Sequence, residues 1–263
     1  MTPYYQREGQ TIYLGNCLQV LPQLEVGSVS CLLTDPPYSS GGMFRGDRMQ
    51  DTGSKYVTTG TVKQRANFSG DNRDQRSWTF WCSWWLAECL PTLKEGAHVF
   101  CFTDWRQLPS LTDAIQAGGY VWRGIIPWNK TEGVRPQKGW FRAQCEYVLT
   151  ASAGNLGQEQ TRHGDCSAGF WTEFSGKGKL HQTGKPVALC RFLLDASCAG
   201  TVLDPFCGSG STLMAAKQAG LPGVGIEIEE AYAEIAARRL DGEAMLPDPI
   251  PPPEQPGLFA FAP

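Results

Sequence analysis

The chain has no run of about 20 apolar residues, so nothing in it reads as a membrane span. Its opening, Met1-Thr-Pro-Tyr-Tyr-Gln6, lacks the basic and apolar regions of a secretory signal. A soluble, intracellular chain with no membrane partner is the expectation. Histidine is scarce, at three residues, and none of the ten cysteines forms a CxxC pair. That spacing excludes a zinc framework, and no metal is expected. The cysteines sit in apolar runs such as Cys31-Leu32-Leu33 and Val99-Phe100-Cys101-Phe102, where a reduced thiol behaves as a small hydrophobe. What is present excludes disorder as the main state: 12 Phe, 9 Trp and 8 Tyr in 263 residues can bury enough surface to offset chain entropy.

A net charge of −3, taken as a total, argues against a nucleic-acid partner. Its distribution does not. Between Arg45 and Arg76 basic residues exceed acidic ones, and they do so again between Arg123 and Lys179. From Glu227 onward acids dominate, so the C-terminal end conceals two basic stretches in the total.

Short apolar runs alternate with helical stretches, the pattern of a mostly parallel α/β sheet covered on both faces. Strands are predicted over Thr11–Leu14, Val29–Thr34, His98–Thr103, Val121–Trp128, Glu146–Ala151, Thr201–Asp204 and Val224–Ile228. Helices are predicted over Cys17–Leu24, Trp78–Leu93, Arg106–Ala117, Pro186–Ala196, Thr212–Ala219 and Glu230–Leu240, with Pro91 ending the second early. Residues 39–77 and 153–179 are polar, glycine-rich and aperiodic. Loops this long within a compact domain are usually functional or disordered. Residues 1–245 thus read as one domain with two inserted loops, and 246–263 as a proline-rich tail.

Thr201-Val-Leu-Asp-Pro-Phe-Cys-Gly-Ser-Gly-Ser-Thr212 is a strand, a glycine turn and a helix start. Neither GxGxxG nor a Lys-Ser/Thr pair is present, which weakens the pyrophosphate and P-loop readings. Asp204 lies beside the turn. Glu227, followed by Ile228, ends the next strand, where such folds place the acid that grips ribose hydroxyls. An acidic site with no phosphate cradle suits a ribose carrying a cationic amino-acid arm. S-adenosylmethionine is such a ligand.

Val29-Ser-Cys-Leu-Leu-Thr-Asp-Pro-Pro-Tyr38 delivers Asp35, Pro36, Pro37 and Tyr38 to the C-terminal edge of a strand, where open α/β sheets bind ligands. The prolines remove backbone donors and leave carbonyls free to accept. Asp35 adds a carboxylate acceptor and Tyr38 a stacking face. Together they could accept both N–H groups of an exocyclic base amine and turn its lone pair toward a methyl donor.

These segments resemble the amino-directed DNA methyltransferases, in the circularly permuted (β-class) group whose catalytic motif precedes the cofactor loop. Asp35-Pro-Pro-Tyr38 resembles the catalytic motif and Phe206-Cys207-Gly208-Ser209-Gly210 the cofactor loop. His181-Gln-Thr183-Gly-Lys185-Pro186 resembles a third motif, which lines the methionine end of the cofactor. The resemblance implies a Rossmann-like sheet of seven strands, one antiparallel (Glu146–Ala151), S-adenosylmethionine as methyl donor with S-adenosylhomocysteine as product, and a flipped base in double-stranded DNA. It also implies cofactor contacts from Asn16, Cys17, Asp35 and Ile228. Two departures stand out. Gly15-Asn16 replaces the usual Gly-Asp that meets the cofactor adenine, and Gln182 replaces a proline.

Asp rather than Ser at position 35 implies adenine N6 by family habit. Cytosine N4 is the alternative, and a DNA-binding regulator without catalysis the reading from another class. For DNA, Arg45, Arg48, Lys55, Lys63 and Arg65 follow the catalytic turn. Arg135, Lys138 and Arg142 surround Trp140-Phe141, of which Trp140 fits a core position equally well. The resemblance makes 153–179 the target-recognition segment, with Arg162, His163, Lys177 and Lys179 as donors. So short a segment implies a homodimer. The resemblance further implies a cytoplasmic enzyme of bacterial or phage origin, an orphan or one paired with a restriction enzyme.

Overall fold

Six consecutive residues with no exposed member, Val29–Thr34 (β3), run through the centre of the molecule. A strand buried on both faces carries apolar and small side chains rather than an alternation with charged ones, and Ser30 and Thr34 are its polar members. The computed structural model describes residues 1–38, 73–132, 139–156, 167–172, 184–196 and 200–243. Within them the other strands are β1 (Tyr5–Arg7), β2 (Gln10–Leu14), β4 (Leu93–Thr103), β5 (Val121–Asn129), β6 (Cys145–Ser152), β7 (Trp171–Thr172), β8 (Val202–Asp204) and β9 (Gly223–Glu227). They form one nine-stranded sheet in the order β1-β2-β9-β8-β3-β4-β6-β5-β7.

The central pairs β2–β9, β9–β8, β8–β3 and β3–β4 are parallel. β6 runs antiparallel to both β4 and β5, the expected reversal. The seven expected strands are all there, and the short β1 and β7 extend the sheet at its two edges. β7 lies inside the segment expected to be loop.

Helices cover both faces. α1 (Cys17–Val20), α2 (Gln75–Cys89) and α3 (Leu108–Ala117) pack Trp78, Trp85 and Leu111 onto Leu32, Val99 and Leu149. On the opposite face α4 (Val187–Ala196) and α5 (Ser211–Gln218) set Leu189, Leu193 and Ala215 against Leu33, Phe100 and Val148. α6 (Glu230–Leu240) closes the edge over Ile12. Alternate residues of β3 and β4 therefore feed opposite layers, as the two-residue period of a strand requires. The free cysteines among the described residues are buried in these layers, apart from the half-buried Cys145.

Helix boundaries moved. The predicted helix 78–93 begins at Gln75, because the Asp74 carboxylate accepts from the Arg76 and Ser77 N–H groups, both at 3.0 Å. It ends at Cys89, and Pro91 sits in a 3₁₀ turn, Leu90–Thr92, from which β4 starts five residues earlier than expected. Helix 17–24 is likewise a single α turn followed by the 3₁₀ turn Leu21–Gln23, and helix 106–117 starts at Leu108. The sheet order reverses its direction of winding between β8 and β3, the point at which such sheets open a crevice.

Candidate active site

β2, β9, β8 and β3 are neighbours in the sheet. Four polar residues stand at or just past their C-terminal ends: Asn16, Glu227, Asp204 and Asp35. At the switch point the Thr34 hydroxyl donates to Asp204 Oδ1 at 2.7 Å, joining β3 to β8. Asp204 also accepts from the Phe206 N–H at 3.1 Å and from the Thr212 hydroxyl. Burial still pushes its carboxyl up to about 6, since these bonds only partly replace lost water. Asp204 is thus spent mainly on bracing the glycine turn.

Gly208 and Gly210 hold that turn with φ +50 and +81. A Cβ on Gly210 would lie 2.9 Å from Ala236 Cβ of α6, so the close helix packing admits only glycine there. The Gly208 N–H donates to Glu227 Oε2 at 2.8 Å, and the Glu229 N–H to Oε1 at 2.8 Å. Glu227 is buried, which pushes its carboxyl up to about 7. Beside it Ile228 is exposed and offers an apolar side chain. Asn16 is exposed next to the same strand end; its side-chain oxygen caps α1 by accepting from the Leu18 N–H at 3.1 Å. The neighbouring Cys17 is buried, with its thiol pushed up to about 12 by burial.

The Asp-Pro-Pro-Tyr turn is tied down on two carbonyls. The Trp78 indole N–H donates to the Pro37 carbonyl at 2.7 Å, and the Gln107 amide donates to the Tyr38 carbonyl at 2.9 Å. Among the described residues nothing donates to the Pro36 carbonyl. The Tyr38 hydroxyl donates to Asp35 Oδ1, and Lys185 Nζ to Asp35 Oδ2 at 2.6 Å. Burial pushes the Asp35 carboxyl up, while Lys185 and Tyr38 pull against it. Phe206, from the glycine turn, meets Trp81 and Trp85 of α2 at ring distances of 5.3 and 5.1 Å. The catalytic turn and the glycine turn therefore share one aromatic wall.

Two separate motifs, in the order Asp-Pro-Pro-Tyr then glycine loop, thus meet at one sheet edge. The family model described as DNA methylase matches residues 29–238, which hold both. The chain belongs to the DNA methylase family. YubD of Escherichia coli K12, named as a methylase, is 30% identical over 228 residues, 86% of this chain and 88% of its own. The type II methyltransferase M.HpaI of Haemophilus parainfluenzae is 26% identical over 89% of this chain and 75% of its own length. The crystal structure of the M1.HpyAVI–SAM complex superposes with a TM-score of 0.64 at 20% identity, covering 88% of this chain and 99% of that one. At that identity the likeness is one of fold, the Rossmann-like methyltransferase sheet.

In this DNA methylase the predicted residues Asn16, Cys17, Asp35, Pro36, Pro37, Tyr38, Lys185, Asp204, Phe206, Cys207, Gly208, Ser209, Gly210, Glu227 and Ile228 lie along the C-terminal edge of the sheet. Lys185, expected at the methionine end of the cofactor, donates to the Asp35 carboxylate. Cys207 faces the core with Leu213 and Ala233, and the Ser209 carbonyl accepts from the Arg239 guanidinium. His181, Thr183, Arg45, Arg48, Lys55, Lys63, Arg65, Arg135, Lys138, Arg162, His163, Lys177 and Lys179 lie outside the described residues.

Trp140, open between core and contact from the sequence, is 73% exposed, and Phe141 is 81% exposed. Arg142 is exposed beside them, its guanidinium donating to the Glu132 carbonyl. Sequence reasoning missed Trp78 and Gln107, which brace the catalytic turn, and Glu146 and Lys130, which stand behind Lys185. Nothing local marks the last two, since only the pairing of β5 with β6 brings them near the site.

Proposed function

We propose that this DNA methylase transfers a methyl group from S-adenosylmethionine to the exocyclic N6 amine of an adenine flipped out of double-stranded DNA. The observation that carries the reading is the pair of acceptors at the end of β3, the Asp35 carboxylate and the Pro36 carbonyl, to which none of the described residues donates, next to the Glu227–Gly208 cradle. The residues at the cradle fit the cofactor. The Glu227 carboxylate would hold the ribose hydroxyls, Gly208 has open space where a Cβ would stand, and Ile228 would offer an apolar face to a purine. When bound, S-adenosylmethionine supplies a sulfonium methyl, and it leaves as S-adenosylhomocysteine with the electron pair of the broken S–C bond.

The chain's own residues position and polarise the amine. Asp35 and the Pro36 carbonyl accept its two N–H groups, drawing the nitrogen lone pair out of the ring and toward the methyl carbon. The lone pair forms the N–C bond, and one N–H proton leaves on the Asp35 side. Tyr38 stacks on the base while its hydroxyl fixes Asp35 Oδ1. Such placement in a site shielded from water supplies most of the catalysis expected for an in-line displacement.

Residues 1–245 are the catalytic domain of this reading, with 153–179 its target-recognition insert and 246–263 its tail. The exposed Trp140, Phe141 and Arg142 belong to the connection from β5 to β6, at the end of the hairpin that stands at the same sheet edge as Asp35, and they meet the DNA. A second copy of the chain supplies the contacts that the short recognition segment cannot. Asp35→Ala is the direct test on purified protein. Methyl transfer to DNA falls by at least about a thousandfold, the loss expected when positioning and polarisation go together. Retention of transfer in a folded variant that still binds S-adenosylmethionine would overturn the reading.

A further inference from the structure

Lys185 is buried, yet its ammonium has two carboxylates within reach. Asp35 Oδ2 accepts from it at 2.6 Å, and Glu146 Oε2 lies 3.4 Å away. Glu146 in turn accepts from Lys130 on its other oxygen. The four side chains form a line of alternating charge, Asp35, Lys185, Glu146, Lys130, with side-chain exposures of 24, 6, 17 and 19%. They come from four parts of the chain. Asp35 follows β3, Lys185 precedes α4, Glu146 is on β6 and Lys130 follows β5. The hairpin register sets Glu146 opposite Trp128, and the Lys130 N–H bonds the Gln144 carbonyl at 2.8 Å. A buried ammonium needs only one carboxylate to be neutralised, so the second one requires an explanation.

We infer that Glu146 is a positioning residue for the methyl transfer: it is the alternative seat that receives the Lys185 ammonium when the target amine takes its place on Asp35 Oδ2. The inference rests on the reading of Asp35 as the acceptor of the target amine. In the free protein Lys185 donates to the same oxygen that an incoming N–H must reach, and so keeps Asp35 ionised and aligned. A move of the ammonium toward Glu146 opens Asp35 without leaving a buried charge unpaired. Lys130 neutralises Glu146 from the hairpin side, so the whole line stays balanced in both positions. The Tyr38 and Phe102 rings, with centroids 5.1 and 5.3 Å from the ammonium, line its path with π faces that a cation tolerates. The other titratable groups facing Asp35 are Tyr38 on its own turn, Asp204 at the end of β8 and the buried thiols of Cys101 and Cys190.

The test compares wild type, Glu146→Gln, Lys130→Gln and the double variant Glu146→Gln/Lys185→Met in single-turnover methylation of DNA across pH. S-adenosylmethionine affinity is followed by calorimetry in each. With Glu146 neutral, Lys185 stays on Asp35, and turnover falls about tenfold or more while cofactor affinity holds within about threefold. Loss of the Glu146 charge moves the acidic limb of the profile to lower pH. Loss of Lys130 leaves Glu146 uncompensated and moves that limb to higher pH, a pair of opposite displacements that a purely structural role would not produce. On the plateau above its acidic limb, where Asp35 is ionised without help, the double variant turns over faster than Glu146→Gln alone, because the ammonium that blocks Asp35 is gone. A Glu146→Gln protein with unchanged rate and limb, or a double variant no faster than it, overturns the inference. If Glu146→Gln does not fold, an unmoved limb in Lys130→Gln overturns it. A wild-type chain that transfers no methyl group overturns the function first, which separates the two failures.

Discussion

Asp204 and Glu227 are carboxylates at adjacent strand ends, 3% and 8% exposed, with carboxyls pushed up to about 6 and about 7 by burial. An acid whose folded value is raised above its unfolded one destabilises the fold when ionised. That cost is fully present above the folded value and is relieved as pH falls toward the unfolded value near 4. Each group contributes on the order of 3 kcal/mol by this route. The ligand-free protein should therefore gain thermal stability between pH 8 and pH 5. S-adenosylmethionine, a cation, should bind more weakly over the same descent. Melting curves and calorimetry across pH check both trends. Glu227→Gln should flatten the stability trend and weaken cofactor binding about tenfold or more, as loss of a buried charge-assisted bond does. These two acids were legible in the sequence because strand, turn and strand spacing alone put them at one edge. Glu146 and Lys130 were not, nor was the bond of Lys185 to Asp35, since these contacts join residues remote in the chain.

At the scale of elements, the legible parts were those with a long, regular pattern. β3 and β6 fell within one residue of their predicted ends, and the antiparallel sense of β6 matched what the resemblance implied. β1 and β7, of three and two residues, are too short to carry any period, and a pairing partner alone makes them strands. The start of α2 is set by a side-chain cap at Asp74 that outweighs the apolar pattern beginning at Trp78. Close to the β5–β6 hairpin, Trp140 and Phe141 form an edge-to-face pair, with ring centroids 5.6 Å apart, that is held out in solvent. Burying such rings on one another alone gains little, whereas stacking on bases is worth about 1–3 kcal/mol per base. Trp140→Ala and Phe141→Ala should each weaken DNA binding by about 5- to 100-fold in a fluorescence titration and leave cofactor affinity unchanged. Unaltered DNA affinity in both would remove these rings from the interface.

For the whole molecule, one sheet edge collects every element of the proposed chemistry: cofactor cradle, amine acceptors and exposed aromatic pair. The mild net acidity, −3, is the sum of a basic middle and an acidic C-terminal part rather than the property of any one surface. If a second copy completes DNA recognition, light scattering of the protein–DNA complex should give two chains per site. A fully active complex with one chain would exclude the homodimer. The most direct measurement is base-resolution sequencing of modified bases in DNA from cells that express the chain, against cells that express Asp35→Ala. Wild type should leave N6-methyladenine at one short sequence motif, and the variant none. N4-methylcytosine at that motif would contradict the adenine assignment. No modified base from a chain that binds S-adenosylmethionine would contradict the enzyme itself.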